Sequence, residues 1–311
     1  MMRPYLFFIY LVVAFFLQHN LVHAAEGGSG FYLLGTRHQM AGTSLPTGHY
    51  LKNDLYLYTG QSRDSATLPM AGSIYVGVDA SAYVNLSTLI WVPNISLGSS
   101  QLTFNATLPV GYKQARAFAK YEQLSGKISD HIFTVGDPTL GMSLGWNKNY
   151  WSWNISGLAN IPIGHYRKNQ LSNLSYHHWG LDLTSAVTYF NPQTGWDLSA
   201  AAGITYNHKN RKTQYKTGNE GHIELAITKF LSPQLSLGLA SYHYQQLTAD
   251  SGQGAVLGSY KGRTSALGFT SSYQVNQLKK PITLQLRAYK EFSTKNRVQG
   301  TAGYLSIVKS L

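Results

Sequence analysis

The sequence predicts an all-β protein, a transmembrane antiparallel β-barrel of about 12 strands behind an N-terminal signal peptide. Three observations predict it. Tyr150–Pro162 reads YWSWNISGLANIP, with Trp151, Trp153, Ile155, Ala159 and Ile161 apolar and Ser152, Asn154, Ser156 and Asn160 polar between them. Side chains alternate faces along a strand, so one face is apolar for about ten residues, enough for a tilted strand to cross a bilayer. The pattern returns at Trp179–Tyr189 and Trp196–Tyr206. Connections between such segments alternate short and long, as barrels with periplasmic turns and outer loops require. Finally, no apolar run after the first residues is long enough for a membrane helix, and only helices and closed barrels satisfy their backbone inside lipid.

The first residues carry Arg3, an apolar run from Tyr5 to Leu17 and a Val-His-Ala ending. This is the pattern of a signal peptide over residues 1–24, because the run is too short to anchor as a helix. Residues 25–50 are Gly-rich, contain Pro46 and show no sustained alternation. They are expected to stay unpaired, either in the periplasm or as a plug in the lumen. The barrel is assigned to 51–311.

Twelve strands are expected within it: Leu51–Thr59, Ala82–Trp91, Leu102–Val110, Thr139–Trp146, Trp151–Ile161, Trp179–Tyr189, Trp196–Tyr206, His222–Phe230, Leu235–Gln245, Arg263–Tyr273, Ile282–Phe292 and Gln299–Val308. An even number brings both ends of the chain to one side. The short connections, Asn147–Asn149, Asn191–Gly195 and Ser232–Gln234, are built from turn residues. Gly60–Ser81, Tyr112–Pro138, Gly164–His178, Asn207–Gly221 and Gln246–Gly262 are read as long outer loops. A soluble sandwich has no need of this alternation. Trp91, Trp146, Trp151, Trp153 and Trp196 fall at strand ends beside short turns, with Trp179 at the opposite rim, an aromatic girdle.

Composition narrows the chemistry. Only 12% of the 311 residues are charged, there are 22 Tyr and 30 Gly, and there is no Cys. Disulfide scaffolds and thiolate chemistry are thereby excluded. The net charge of +12 gathers in expected loops such as Lys209–Lys216, where it suits lipopolysaccharide phosphates, and no module of a nucleic-acid binder accompanies it. His222-Ile223-Glu224 has the spacing of a zinc deaminase motif without its cysteine ligands, and no metal or cofactor is expected. Parity along the strands sends Asp182, Asp197, Glu224, Arg287 and Glu291 inward, so the lumen is polar. On the lipid side, His243 lies opposite Thr264 and Ser265. A His base beside a Ser nucleophile is what an outer-membrane phospholipase uses, but no third group to orient His243 is in view; a histidine at headgroup level is the preferred reading.

Several stretches resemble the outer-membrane family of meta-pathway phenol-degradation proteins. They are Gly136-Asp137-Pro138, Leu158–Tyr166, Tyr206–His222, with Thr213-Gln214-Tyr215 and Gly218, Tyr242–Gly252, and Glu291-Phe292 followed by Asn296-Arg297. The resemblance covers most of the chain after the signal peptide. It implies an outer-membrane channel for small hydrophobic, often aromatic, compounds. Passive uptake is expected, with Tyr215, Tyr242, Tyr244, Gln245, Gln246 and Asp250, gathered at one barrel end, forming a mouth that captures them. A plugged barrel serving structure or surface contact is the alternative. Two departures from the family stand out: the chain ends Ile307-Val308-Lys309-Ser310-Leu311 where an aromatic residue is usual, and Gly136-Asp137-Pro138-Thr139 replaces a longer Gly-Asp-Leu form. The partners expected are outer-membrane lipid and lipopolysaccharide, the barrel-assembly machinery and the solute.

Overall fold

The computed structural model describes residues 30–68, 72–121, 124–255, 259–276 and 280–311. The expected signal peptide lies outside them. Among the described residues there are fourteen strands and no helix: β1 Gly48–Leu68, β2 Gly72–Val92, β3 Ser96–Leu97, β4 Ser100–Tyr121, β5 Leu124–Val135, β6 Thr139–Lys148, β7 Trp151–Asn160, β8 Gly180–Asn191, β9 Trp196–Asn207, β10 Glu220–Phe230, β11 Leu235–Gln246, β12 Arg263–Val275, β13 Ile282–Lys295 and β14 Gln299–Ser310. Twelve of them, all but β3 and β5, are the staves of a closed antiparallel barrel. β14 returns to β1 in register from Tyr50 opposite Ser310 to Gln61 opposite Gln299, which removes the sheet edge.

The barrel is apolar outside and polar inside. Along β8, Asp182, Thr184 and Thr188 are buried while Leu181, Leu183 and Val187 are exposed. Ile204, Ile227, Leu239, Leu267 and Leu305 continue the exposed apolar band around the wall. Such a band has no stable place in water and every reason to face lipid. Trp91, Trp151, Trp153, Trp179 and Trp196 are all exposed, and Trp146, partly exposed, stacks on Trp153 with centroids 6.5 Å apart. The ammonium of Lys229 sits 4.9 Å from the ring of Trp196.

Two expected loops are strands instead. Gly60–Ser81 is the outer part of the β1–β2 hairpin, paired continuously from Gly48 opposite Val92 to Leu68 opposite Gly72. Each strand has 21 residues, roughly 70 Å of extended chain, so the hairpin rises well beyond the bilayer. Tyr112–Pro138 contains β5, which pairs with the outer half of β4 from Val110 to Tyr121. The inward positions of these segments are buried but mostly small, as at Ala115, Ala117 and Ala119, so the alternation of large apolar residues that marks the crossing segments fades there. β4 is shared: its inner half, Gln101 to Thr107, pairs with β6. β5 and β6 are separated by Gly136-Asp137-Pro138, and β7 pairs with β6 only up to Thr139 opposite Asn160. Above that point the loop 161–179 stands against the wall, with Ile161 N donating to Pro138 O at 2.9 Å and His165 N to Val135 O at 3.1 Å.

Leu183 is 63% exposed in the middle of β8. Leu183→Arg is expected to lower stability by about 2–4 kcal/mol, the cost of an arginine at the bilayer midplane, read from urea unfolding of the barrel in lipid vesicles.

Candidate functional site, the channel lumen

A barrel of twelve strands is wider than its own side chains fill. Residues 30–47 run through the lumen without regular structure, so their backbone groups need partners from the wall. The partners are polar side chains of β7–β14. Glu224 accepts from Tyr32 Oη at 2.7 Å and from Arg37 N at 2.9 Å. Asp197 accepts from Met40 N at 3.0 Å and from the hydroxyls of Ser199 and Thr228. Ser199 and Thr188 take the N–H groups of Ala41 and Gly42, and Asn154 Nδ2 donates to Ala41 O at 2.9 Å. Tyr304 Oη donates to Leu34 O. Gly42 is pressed so close that an added Cβ would stand 2.5 Å from Ser152 O and 2.6 Å from Thr188 N. Gly35, at φ +83°, packs against the ring of Tyr289.

Arg287 ties the segment to the closing seam of the barrel. Its guanidinium is fully buried; it donates to Gly35 O at 3.0 Å, to Asp54 Oδ1 at 2.7 Å and to Ser306 Oγ at 2.6 Å, and it lies over the ring of Tyr304. Lys52 Nζ contacts the other oxygen of Asp54 at 3.0 Å. Asp182 accepts from Thr184, Thr205 and His222 at 2.5, 2.6 and 2.9 Å; Tyr32 stacks on His222 at 3.6 Å. Glu291 accepts from Tyr58, Tyr242 and Gly300 N.

The opposite wall is different. The inward residues of β2 are Val78, Ala80, Ala82, Val84, Leu86, Thr88 and Ile90, and beside them β4 presents Ala115 and Ala117 above and Lys113, Thr107, Asn105 and Thr103 below. Between this wall and the N-terminal segment, which presents Leu33 and Leu34, runs a cavity of about 720 Å³; Tyr56 and Tyr58 of β1 stand beside Val84 and Ala82 on the same wall. The lumen is thus divided lengthwise into a polar half that holds the segment and a lane that is mainly apolar along β2 and the outer part of β4.

The six expected mouth residues do not act together. Tyr242 and Tyr244 are buried strand residues that line the cavity, each 4% exposed, with hydroxyls on Glu291 and Glu220. Tyr215 also lines it and donates to Asp250 Oδ2 at 2.7 Å. Asp250 accepts further from Gly218 N at 3.0 Å and Gln246 Nε2 at 2.6 Å, fastening the loop after β11 to the loop after β9. Gln245 stands on the opposite, outward face, because neighbours on a strand alternate. Gln246 and Asp250 therefore hold loops, and Gln245 takes no part in the lumen.

Other residues escaped sequence reasoning. Asp137 is 3% exposed and accepts from Gly164 N, Tyr176 N, His177 N, Ser175 Oγ and Asn160 Nδ2, pinning loop 161–179 over the lane. Asp54 shares the inward parity of Lys52, Tyr56 and Tyr58, a signal present in the sequence. For Tyr32 and Arg37 there was none, since the segment has no period. On the outer wall His243 Nδ1 and Ser265 Oγ stand 2.9 Å apart. Among the described residues no carboxylate bonds His243, so the pair lacks the group that orients an acyl-transfer base.

A sequence profile of the family described as "Putative MetA-pathway of phenol degradation" matches residues 59–307, most of the chain. The chain belongs to that family. No characterised protein matches it by sequence. Among solved structures it is similar to an outer membrane channel from Pseudomonas putida, at TM-score 0.67 and 16% identity over 88% of this chain and 98% of that one. It is also similar to the transport unit of the autotransporter AIDA-I from Escherichia coli, at 0.49 and 9% over 92% and 95%. For the CymD monoaromatic hydrocarbon channel the values are 0.37 and 10% over 86% and 89%. The first likeness shows the fold; the other two carry no argument. With its exposed apolar band and its family, the chain is a β-barrel of the bacterial outer membrane.

Two outcomes are expected. Arg287→Leu leaves Gly35 O with only the longer bond from Tyr289 Oη at 3.3 Å and strips Asp54 of its buried cation, leaving it Lys52 and Ser306; it is expected to cost about 3–5 kcal/mol, the usual penalty for breaking a buried pair, measured as a shift in the urea midpoint. In loop 161–179, burial lowers the pKa of His177, with Lys212 adding to it, and burial lowers that of His178. The unfolded loop therefore binds protons more readily, so these histidines support the closed loop above their ordinary value of 6.5 and cease to do so as pH falls below it. Amide protection factors in 164–178, corrected for the slower intrinsic exchange at low pH, are expected to fall between pH 7 and pH 5 (roughly the titration range of an ordinary histidine).

Proposed function

We propose that the protein is a passive channel for small hydrophobic compounds, aromatic ones foremost, and that the lane is their path. The observation that carries this reading is the division of the lumen. A polar pore wall holds water and repels an apolar solute, whereas the Val, Ala and Leu of β2 with Ala115 and Ala117 of β4, interrupted by Thr88 and Lys113, remove apolar area from water along much of the path. The rings of Tyr56, Tyr58, Tyr166 and Tyr215 border the same cavity and offer flat faces of the kind on which an aromatic solute packs. Tyr215 and the lumen pair Tyr242 and Tyr244 belong to this lining; Asp197, Glu224 and Arg287 bond the N-terminal segment as a plug in the other half, Asp182 holds the His222 on which Tyr32 stacks, and Glu291 holds Tyr58 and Tyr242 on the wall. Family membership supports solutes of the phenolic class. The C-terminal strand β14, inserted against β1, is the part through which the barrel-assembly machinery would close the fold.

One observation favours the alternative of a filled, structural barrel: the segment is hydrogen-bonded along its length. Flux separates the two readings. In proteoliposomes, phenol is expected to cross faster than a polar solute of similar size, and Ala82→Trp or Ala117→Trp, which fill the lane without touching the plug, are expected to lower phenol flux about tenfold or more. Equal, slow flux of both solutes in the parent protein overturns the channel reading.

A further inference from the structure

Above the apolar band a polar groove of about 630 Å³ crosses β13, β14, β1, β2 and β4, its outward rows on the outer wall and its inner edge meeting the lane at Ala80 and Arg297. Its position follows from register. The outward row Ala288, Gly303, Leu57 and Tyr83 is paired strand to strand and belongs to the apolar band. The next outward row up is Lys290, Thr301, Thr59, Ser81 and Gln114, again paired across five strands. Above it come Gln299, Gln61, Asp79 and Arg116. Aliphatic contact thus gives way within one row to a band of hydroxyls and amides, at the level where the acyl chains of the outer leaflet meet its headgroups.

The charge in this groove is one-sided. Arg63, Arg116, Lys290 and Arg297 line it, against a single acid, Asp79. Asp79 is engaged by Arg63 at 2.5 Å, and the guanidinium of Arg63 is steadied on the ring of Phe118 at 4.8 Å. Among the described residues no carboxylate lies within ion-pair range of Arg116 or Lys290. Arg297, at the inner edge of the groove, is turned to the lumen, its guanidinium 4.1 Å from the ring of Tyr244. Directly beneath Lys290 and Thr301, the small residues Ala288 and Gly303 leave a shallow recess walled by Leu57. Cations spaced over a hydroxyl-rich floor match phosphate and sugar, the recess matches an acyl chain, and the two are stacked in the order a membrane lipid presents them.

We propose that this groove is a docking site for one phosphorylated glycolipid, the lipid A headgroup of lipopolysaccharide, with Lys290 and Arg116 on its phosphates and an acyl chain over Ala288 and Gly303. The site lies on the barrel exterior and does not depend on what the lumen conducts.

The test is native mass spectrometry of the full barrel, refolded without lipopolysaccharide, titrated in detergent with lipid A or with lipid A stripped of its phosphates. One lipid A per barrel is expected, held about tenfold more weakly by the double variant Arg116→Gln with Lys290→Gln. Lys120→Gln with Lys127→Gln, which removes the same charge from the outer hairpin, is expected to bind like the parent. Heat-modifiable migration on gels checks that each variant is folded. Unchanged retention by the Arg116 and Lys290 variant, equal loss in the Lys120 and Lys127 control, or equal binding of the dephosphorylated lipid overturns the proposal. Displacement of lipid A by millimolar inorganic phosphate alone overturns it too, in favour of a soluble-anion site.

Discussion

The interior of this barrel depends on one constraint, that the backbone of residues 30–47, taken out of water, must find a partner for each polar group. An irregular segment makes few such bonds with itself. The wall supplies them through carboxylates, hydroxyls and one guanidinium. Glu224 receives both a phenol and a backbone N–H, Asp197 a backbone N–H and two hydroxyls, and Arg287 gives to Gly35 O while neutralising Asp54. The polarity of β7–β14 is the counterpart of the segment's lack of secondary structure.

From that arrangement the other half of the lumen follows. Because the segment is held on one side, β1, β2 and β4 face open space, and small apolar residues are admissible there. Alanines at 80, 82, 115 and 117 keep the lane wide; larger side chains would close it. Loop 161–179 covers the lane because Asp137 collects its donors at the point where the β5–β6 strand is broken. A single buried carboxylate thereby links an interruption of the sheet to the roof of the cavity. Asp250 does the same for the loops after β9 and β11.

The outer wall obeys a simpler rule, set by the layers of the membrane. Leucines and isoleucines occupy the band, tryptophans its margins, and cations with hydroxyls the level above. Register carries that layering evenly across the β13–β14–β1–β2–β4 wall, which is why residues distant in sequence, such as Lys290, Thr301 and Arg116, meet on one surface.

Much of this was legible in the chain itself. Alternation in Trp151–Asn160 and Gly180–Asn191 marks crossing strands because lipid on one side and a polar lumen on the other impose a period of two on every residue between them. Short turns such as Asn149-Tyr150, with Asn149 at φ +55°, set the antiparallel order and the count of twelve staves. Where those opposing environments end, the sequence falls silent. The outer parts of β2 and β4 bury only small or scattered apolar residues, Val78, Ala115, Ala117 and Ala119, and read as loops, and the mouth residues read from Tyr242 to Asp250 ignored that Gln245 must face away from Gln246. The path of residues 30–47, the partners of Asp137 and the one-sided lane were decided only by tertiary structure: the segment bonds wall residues more than a hundred positions away, Asp137 gathers donors 23 to 40 positions on, the lane depends on which half of a closed wall the segment occupies, and no local pattern encodes any of these.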